Sequence, residues 1–259
     1  MQAVSPLRDY QQVITFDAKS VVLRVPVAKA ERGCKFSIAR DKNGPGIKLK
    51  KRCNGPKTLV CHDMKGGYLE DRFVDGAYGL PTEPYTFVHW PSTDIFVYFS
   101  HHFVTIPPLG WISAAHRNGV QILGTIITEF DHGEHICEQV LQSKATVDFF
   151  VEKCVEIAVA YGFDGWLLNI ENPVKNVDNL LYLTEKLAQR MHEKVLDSCV
   201  LWYDSVTIDG ELKWQNALNS LNSQFFHACD GIFLNYTWTE DGLVKSAQFS
   251  PGTQTTPST

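Results

Sequence analysis

From Thr58 onward, short apolar runs alternate with longer stretches whose apolar residues recur at helical spacing. The runs are Thr58–Met64 (TLVCHDM), Asp94–Ser100 (DIFVYFS), Val120–Thr128 (VQILGTIIT), Gly165–Glu171 (GWLLNIE), Cys199–Ser205 (CVLWYDS) and Gly231–Thr237 (GIFLNYT). They are almost continuously hydrophobic, the pattern of strands covered on both faces in a parallel sheet. Between them the spacing predicts three helices. Pro108–Asn118 opens on prolines suited to a first turn and closes before Gly119. Ala145–Tyr161 stops at Gly162, and Asn179–Lys194 carries Leu180, Leu183, Leu187 and Met191 along one side.

Six β units separated by helices predict an α/β fold, and a (β/α) barrel rather than an open doubly wound sheet. The choice rests on the polar and aromatic residues at the C-terminal ends of the runs: His62 and Asp63, Ser100 and His101, Glu129, Asn169 and Glu171, Tyr203 and Asp204, Asn235 and Tyr236. A (β/α)8 barrel of the TIM type gathers such ends around one mouth. That barrel has eight units in about 250 residues, whereas about six are legible here, so the barrel over residues 57–240 is expected to be incomplete. Residues 1–56 read as an N-terminal extension. Within it Val21–Val27 suits a short edge strand, because of Pro26. The basic run Lys48–Arg52 suits a solvated linker better than a nucleic-acid patch, since no aromatic residues are interleaved. Residues 241–259, poor in apolar side chains, are expected to form a disordered tail.

Composition narrows the function classes. The 259 residues are 44% hydrophobic and 20% charged, which suits a globular chain with a sizeable core. A net charge of −5 argues against general binding to nucleic acid or anionic membrane. No run approaches the ~18–20 apolar residues of a membrane span, and the N-terminus has no basic-then-apolar leader pattern. The 7 cysteines are scattered and never spaced Cys-x-x-Cys. They read as reduced thiols in a cytosolic setting, with no clustered ligands for a metal.

The sharpest chemical feature is Phe163–Asn172 (FDGWLLNIEN). Side chains two apart on a strand share a face, so Asn169 and Glu171 should point together toward the barrel mouth. Burial disfavours an ionised carboxylate, which suits Glu171 to give and retake a proton near neutral pH. The neighbouring amide cannot serve as a carboxylate nucleophile, so the nucleophile would come from the substrate. The competing reading is that Asn169 and Glu171 merely satisfy each other.

Taken with Leu59–Arg72 (LVCHDMKGGYLEDR), Tyr98–Pro108 (YFSHHFVTIPP), Gly124–Glu129 (GTIITE), Leu201–Ser205 (LWYDS) and Gly231–Trp238 (GIFLNYTW), this segment resembles the cytosolic endo-β-N-acetylglucosaminidases of glycoside hydrolase family 85. The resemblance runs from about Lys57 to about Glu240. It implies a retaining, substrate-assisted cleavage of the β-1,4 bond in the chitobiose core of N-linked oligosaccharides, glycopeptides or glycoproteins, through an oxazoline and without a cofactor. On that resemblance Glu171 is the general acid and base, Asn169 orients and polarises the acetamide, and Tyr203 holds it in attack geometry. The family 18 chitinase signature is a weaker match, because Leu167 and Asn169 stand where that pattern has Asp.

Trp90, Trp214 and Trp238 are candidates to stack on sugar faces, with core packing equally open for Trp90. Trp111, Trp166 and Trp202 fall within elements and are assigned to packing. Asn235 and Tyr236 are candidates to contact sugar hydroxyls, and His62 either contacts glycan or packs. His101 and His102, being adjacent, should face opposite ways and so cannot share a metal. A second function class stays open: a truncated, inactive form that at most binds glycans or a partner, with strand edges left open beside the first and sixth strands.

Overall fold

Alternation along six parallel strands separates two hydrophobic cores and leaves one end of the sheet polar. The structure is a computed structural model and describes residues 3–23, 27, 36–40, 47–51, 57–73 and 85–250. The first strands, β1 (Phe36–Arg40) and β2 (Ile47–Lys51), form a separate antiparallel pair. This corrects the linker reading of the basic run. Lys48 to Lys51 pair with β1, and Ile47 and Leu49 alternating with lysines is the period-two pattern of a strand. Arg52 lies outside the described residues, as does the Arg24–Pro26 part of Val21–Val27; residues 21–23 and 27 are not in a strand.

The main sheet holds β3 (Leu59–His62), β4 (Ile95–Tyr98), β6 (Gln121–Glu129), β7 (Gly165–Glu171), β8 (Cys199–Tyr203) and β9 (Gly231–Phe233) side by side in chain order, all parallel. The two-residue β5 (Val104–Thr105) adds antiparallel to β6. The six expected runs are therefore the six parallel strands, although β9 ends at Phe233 rather than Thr237. The helices are α1 (Tyr10–Ile14), α2 (Leu109–Arg117), α3 (Phe130–Val140), α4 (Lys144–Tyr161), α5 (Val177–Lys194), α6 (Ser223–Ala228) and α7 (Glu240–Ser246). α2, α4 and α5 occupy the expected segments. α3 was not expected, because Phe130–Val140 has few apolar positions and a glycine.

One core lies on the concave face of the sheet. Ile95, Val97, Leu123, Leu167, Leu201 and Tyr203 meet there, with Leu59, Cys61, Phe99 and Phe233 at its margin. Residues of the opposite parity, among them Phe96, Ile122, Trp166, Leu168, Val200 and Trp202, face the helices. They pack against Ile112, Val151, Val155, Leu183, Leu187 and Phe225. Burial on both faces is why the strands read as unbroken apolar runs. The result is a partial (β/α) barrel of the TIM type. Among the described residues, β3 and β9 are paired on one side only.

Local chemistry fixes the element ends that matter for the site. α4 begins with a capping box in which Ser143 and Thr146 satisfy each other's backbone amides. It ends at Gly162, whose φ of 78° is a left-handed cap that glycine adopts without strain. Gly165 then opens β7 so close to β8 that a Cβ there would lie 1.8 Å from the Cys199 carbonyl oxygen.

The described segments nearest the two termini add to this frame. Leu7 and Val104 exchange two backbone hydrogen bonds of 2.9 Å, and Val4 and Val13 are buried in the helix-facing core. The disordered tail expected from residue 241 is overturned as far as Phe249. Thr239 caps α7 by accepting from the Gly242 amide, and a 3-10 turn follows over Ala247–Phe249. An N-cap followed by Glu240 and Asp241 favours a helix start despite the low apolar content. Residues 251–259 lie outside the described residues.

Candidate active site

The C-terminal ends of the parallel strands surround an open cavity of about 620 Å³. Its wall is built by parity. Cys61 and Asp63 come from the end of β3, Phe99 and His101 from the turn after β4, and Leu167, Asn169 and Glu171 from β7. Tyr203 closes β8, and Phe233 at the end of β9 and Tyr236 beyond it complete the wall. Asn169 and Glu171 share the face of Leu167, as the strand period requires.

Asn169 is buried, and it stands beside Glu171 on the same strand face. Burial raises the proton affinity of Glu171 above the ordinary carboxyl range, and the nearby Glu129 pushes it further the same way. Asn169 and His101 pull in the opposite direction. Both Asn169 and Glu171 line the cavity.

Tyr203 is held from behind. Its hydroxyl donates to Asn235 Oδ1 at 2.9 Å, and Asn235 Nδ2 donates to Asn216 Oδ1 at 2.9 Å. Asn216 is left-handed, with φ 56°, and its amide donates to Asp204 Oδ2 at 2.6 Å. Asp204 also accepts from the Gln215 amide and from Asn222 Nδ2. That buried carboxylate fixes the loop over residues 215–216, next to Trp214. Burial, then the charge of Glu171, raise the Tyr203 pKa well above that of a free phenol.

The sequence-based site residues are therefore divided. Glu171, Asn169, Tyr203 and Tyr236 meet at the cavity, with Tyr236 80% exposed. Asn235 stands behind Tyr203, and Trp214 beside it is 42% exposed. Trp238 is half exposed but outside the cavity wall. Two placements are corrected. His62 is out of phase with Cys61 and Asp63, so it turns to the helical layer and packs between Phe96 and Trp111, where burial lowers its pKa. Trp90 is buried against Phe87, Phe96 and Trp111, away from the mouth. Trp111, Trp166 and Trp202 are buried, as expected.

Sequence reasoning placed Asp63, His101 and Glu129 at the mouth without giving them a chemical role, and did not single out Asn216. His101 and His102 do face apart: one lines the cavity, the other lies 3.2 Å from Arg8 Nη1. The available signal was parity, which puts Asp63 with Cys61, and Glu129 with Leu123 and Thr125, on the concave side. Among the described residues, no group of three His, Cys, Asp or Glu side chains is disposed to hold a metal ion. A second cavity of about 500 Å³ lies between α3 and the segment entering α5. It carries an exposed Lys175–Glu138 ion pair.

A family model described as Glycosyl hydrolase family 85 matches residues 68–258. The cytosolic endo-β-N-acetylglucosaminidase of Gallus gallus is 50% identical over 198 residues, covering 75% of this chain and 27% of that protein. Its Homo sapiens counterpart is 48% identical over 193 residues, 73% of this chain and 26% of that protein. Cytosolic endo-β-N-acetylglucosaminidase 1 of Arabidopsis thaliana is 48% identical over 197 residues, covering 75% and 29% respectively. The chain thus spans less than a third of the length of these curated relatives. The glycoside hydrolase domain of Endo-D from Streptococcus pneumoniae superposes on 96% of this chain, using 40% of its own. The TM-score is 0.69 at 18% sequence identity, a shared fold.

Proposed function

The chain belongs to glycosyl hydrolase family 85, and on that premise we propose that its mouth cavity hydrolyses the GlcNAc-β1,4-GlcNAc bond in the chitobiose core of N-linked glycans. The observation that carries this reading is the pairing of Asn169 and Glu171 on one strand face in the cavity wall, with Tyr203 on the next strand.

Glu171, holding its proton, donates it to the leaving glycosidic oxygen as the C1–O bond breaks. The carbonyl oxygen of the substrate's own 2-acetamido group attacks C1 and closes an oxazolinium ring, which keeps the amide N–H proton. Asn169 and the Tyr203 hydroxyl orient and polarise that acetamide, a positioning effect of up to about 7–11 kcal/mol in favourable cases. The Glu171 carboxylate then takes a proton from water as water opens the ring at C1, which restores the starting enzyme with retention. The sugar supplies the nucleophile, so the chemistry calls for no cofactor. Substrates are N-linked oligosaccharides, glycopeptides or glycoproteins, and the cytosolic relatives support a cytosolic site of action.

The test is release of a fragment bearing a reducing-end N-acetylglucosamine from a defined high-mannose glycopeptide by the purified chain. Glu171→Gln is expected to lower that release by about 10²–10⁴-fold, the usual weight of a general acid. Full activity in the variant would overturn the role. A second reading is favoured by the one-sided pairing of β3 and β9: a domain that binds glycans without turnover. Glycan binding by the wild-type chain with no release would select it.

A further inference from the structure

His101 and Glu129 stand beside Glu171 and take no part in the steps above. Glu129 closes β6 and pairs in register with Glu171 on β7. The two carboxyls leave neighbouring parallel strands, about 4.8 Å apart, at the same level. Like charges that close resist ionising together. His101, from the turn after β4, places Nδ1 3.2 and 3.1 Å from the two Glu129 carboxyl oxygens. Its Nε2 is 3.9 Å from Asp63 Oδ2. One imidazole thus bridges acids from two different strands and lines the cavity that Glu171 lines.

The titratable groups facing Glu171 come from every side of the mouth. They are Glu129 from β6, His101 after β4, Tyr203 from β8 and Tyr236 after β9. Asp63 enters through His101. No Lys or Arg side chain lines the cavity among the described residues.

We propose that Glu129 and His101 form a positioning pair for Glu171, in which the Glu129 carboxylate keeps the proton on Glu171 and His101 tethers that carboxylate in place. The proposal rests on the reading of Glu171 as proton donor. Burial and Glu129 both raise the proton affinity of Glu171, which agrees with the geometry. His101 acts in the opposite sense on Glu171, so its part is to hold Glu129 in place.

The test is a ¹³C titration of the glutamate carboxyls in the whole chain, with the Glu171 resonance assigned through Glu171→Gln. In Glu129→Gln the Glu171 midpoint is expected to fall by about half a pH unit or more, roughly threefold in proton affinity. His101→Gln, which keeps a donor for Glu129, is expected to leave the midpoint at or above the wild-type value. An unmoved midpoint in Glu129→Gln, or a fall in His101→Gln equal to that of Glu129→Gln, overturns the pair. The wild-type chain tests the coupling without a variant: the Glu129 resonance should shift as Glu171 titrates, and a Glu129 signal indifferent to that step would refute it. In glycan release, the alkaline limb of kcat/KM should move down with the Glu171 midpoint in Glu129→Gln, while the acid-side rate persists. Absence of wild-type release would count against the function proposed above and leave the titration readable, since it needs no substrate.

Discussion

The surroundings that let Glu171 keep a proton work against the folded chain once that proton leaves. Its folded-state proton affinity is raised, by burial first and by Glu129 second. A carboxyl raised in this way contributes its full stability below the unfolded value of about 4.3 and loses it as pH climbs through the folded midpoint. Glu171→Gln removes the ionisation. The variant is expected to melt with the wild type at pH 4 and above it at pH 7.5, as measured by scanning calorimetry in matched buffers. A lower melting temperature at pH 7.5 would show that the charged side chain is well accommodated. At this scale the sequence was informative where parity and chemistry coincide, as at Asn169, Glu171 and Tyr203. It left His62 open between glycan and packing, and a one-residue offset turns that side chain to the opposite face. It left Trp90 open too, because a loop tryptophan suits a sugar face as well as an aromatic core, and only its contacts with Phe87, Phe96 and Trp111 decide.

Among the elements, β7 is the one on which the site depends, and its seating rests on Gly165. A Cβ there meets backbone oxygen rather than a flexible side chain, so relief requires β7 and β8 to part. Gly165→Ala is expected to cost about 3 kcal/mol or more, the upper range for overpacking, seen as a lower urea midpoint. A midpoint within a few tenths molar of wild type would mean that the strands tolerate the spread. The parallel strands and the longer helices α4 and α5 were legible because two-faced burial and helical spacing are strong signals. α3 was not: Gly133 and a largely polar stretch hide a helix that tertiary packing of Ile136, Cys137 and Val140 supports. α7 was hidden for a related reason, since its first turn is stabilised by a cap and by acidic residues rather than by apolar spacing.

For the whole molecule, the consequence of six strands in a curved sheet is uneven protection. The central strands are buried along their length, whereas β9 is only half-buried and β3 is buried at His62 alone. Hydrogen exchange is expected to be roughly tenfold or more faster in Leu59–His62 and Gly231–Phe233 than in Gly165–Glu171. Equal protection would show that something covers the outer strands. The barrel character was readable from the strand ends, which do converge on one cavity. The packing of the first twenty residues was not, because Val4 and Val13 stand in a segment with no period to reveal them.

That last feature reaches the chemistry. Leu7 is stitched to Val104, and Arg8 touches His102, so the opening residues clasp the short turn that also presents His101 to the cavity. A segment almost a hundred residues upstream in the chain thereby acts as a latch on one wall of the mouth. Loosening that latch would blur where an imidazole sits, and do so without touching any of the six parallel strands.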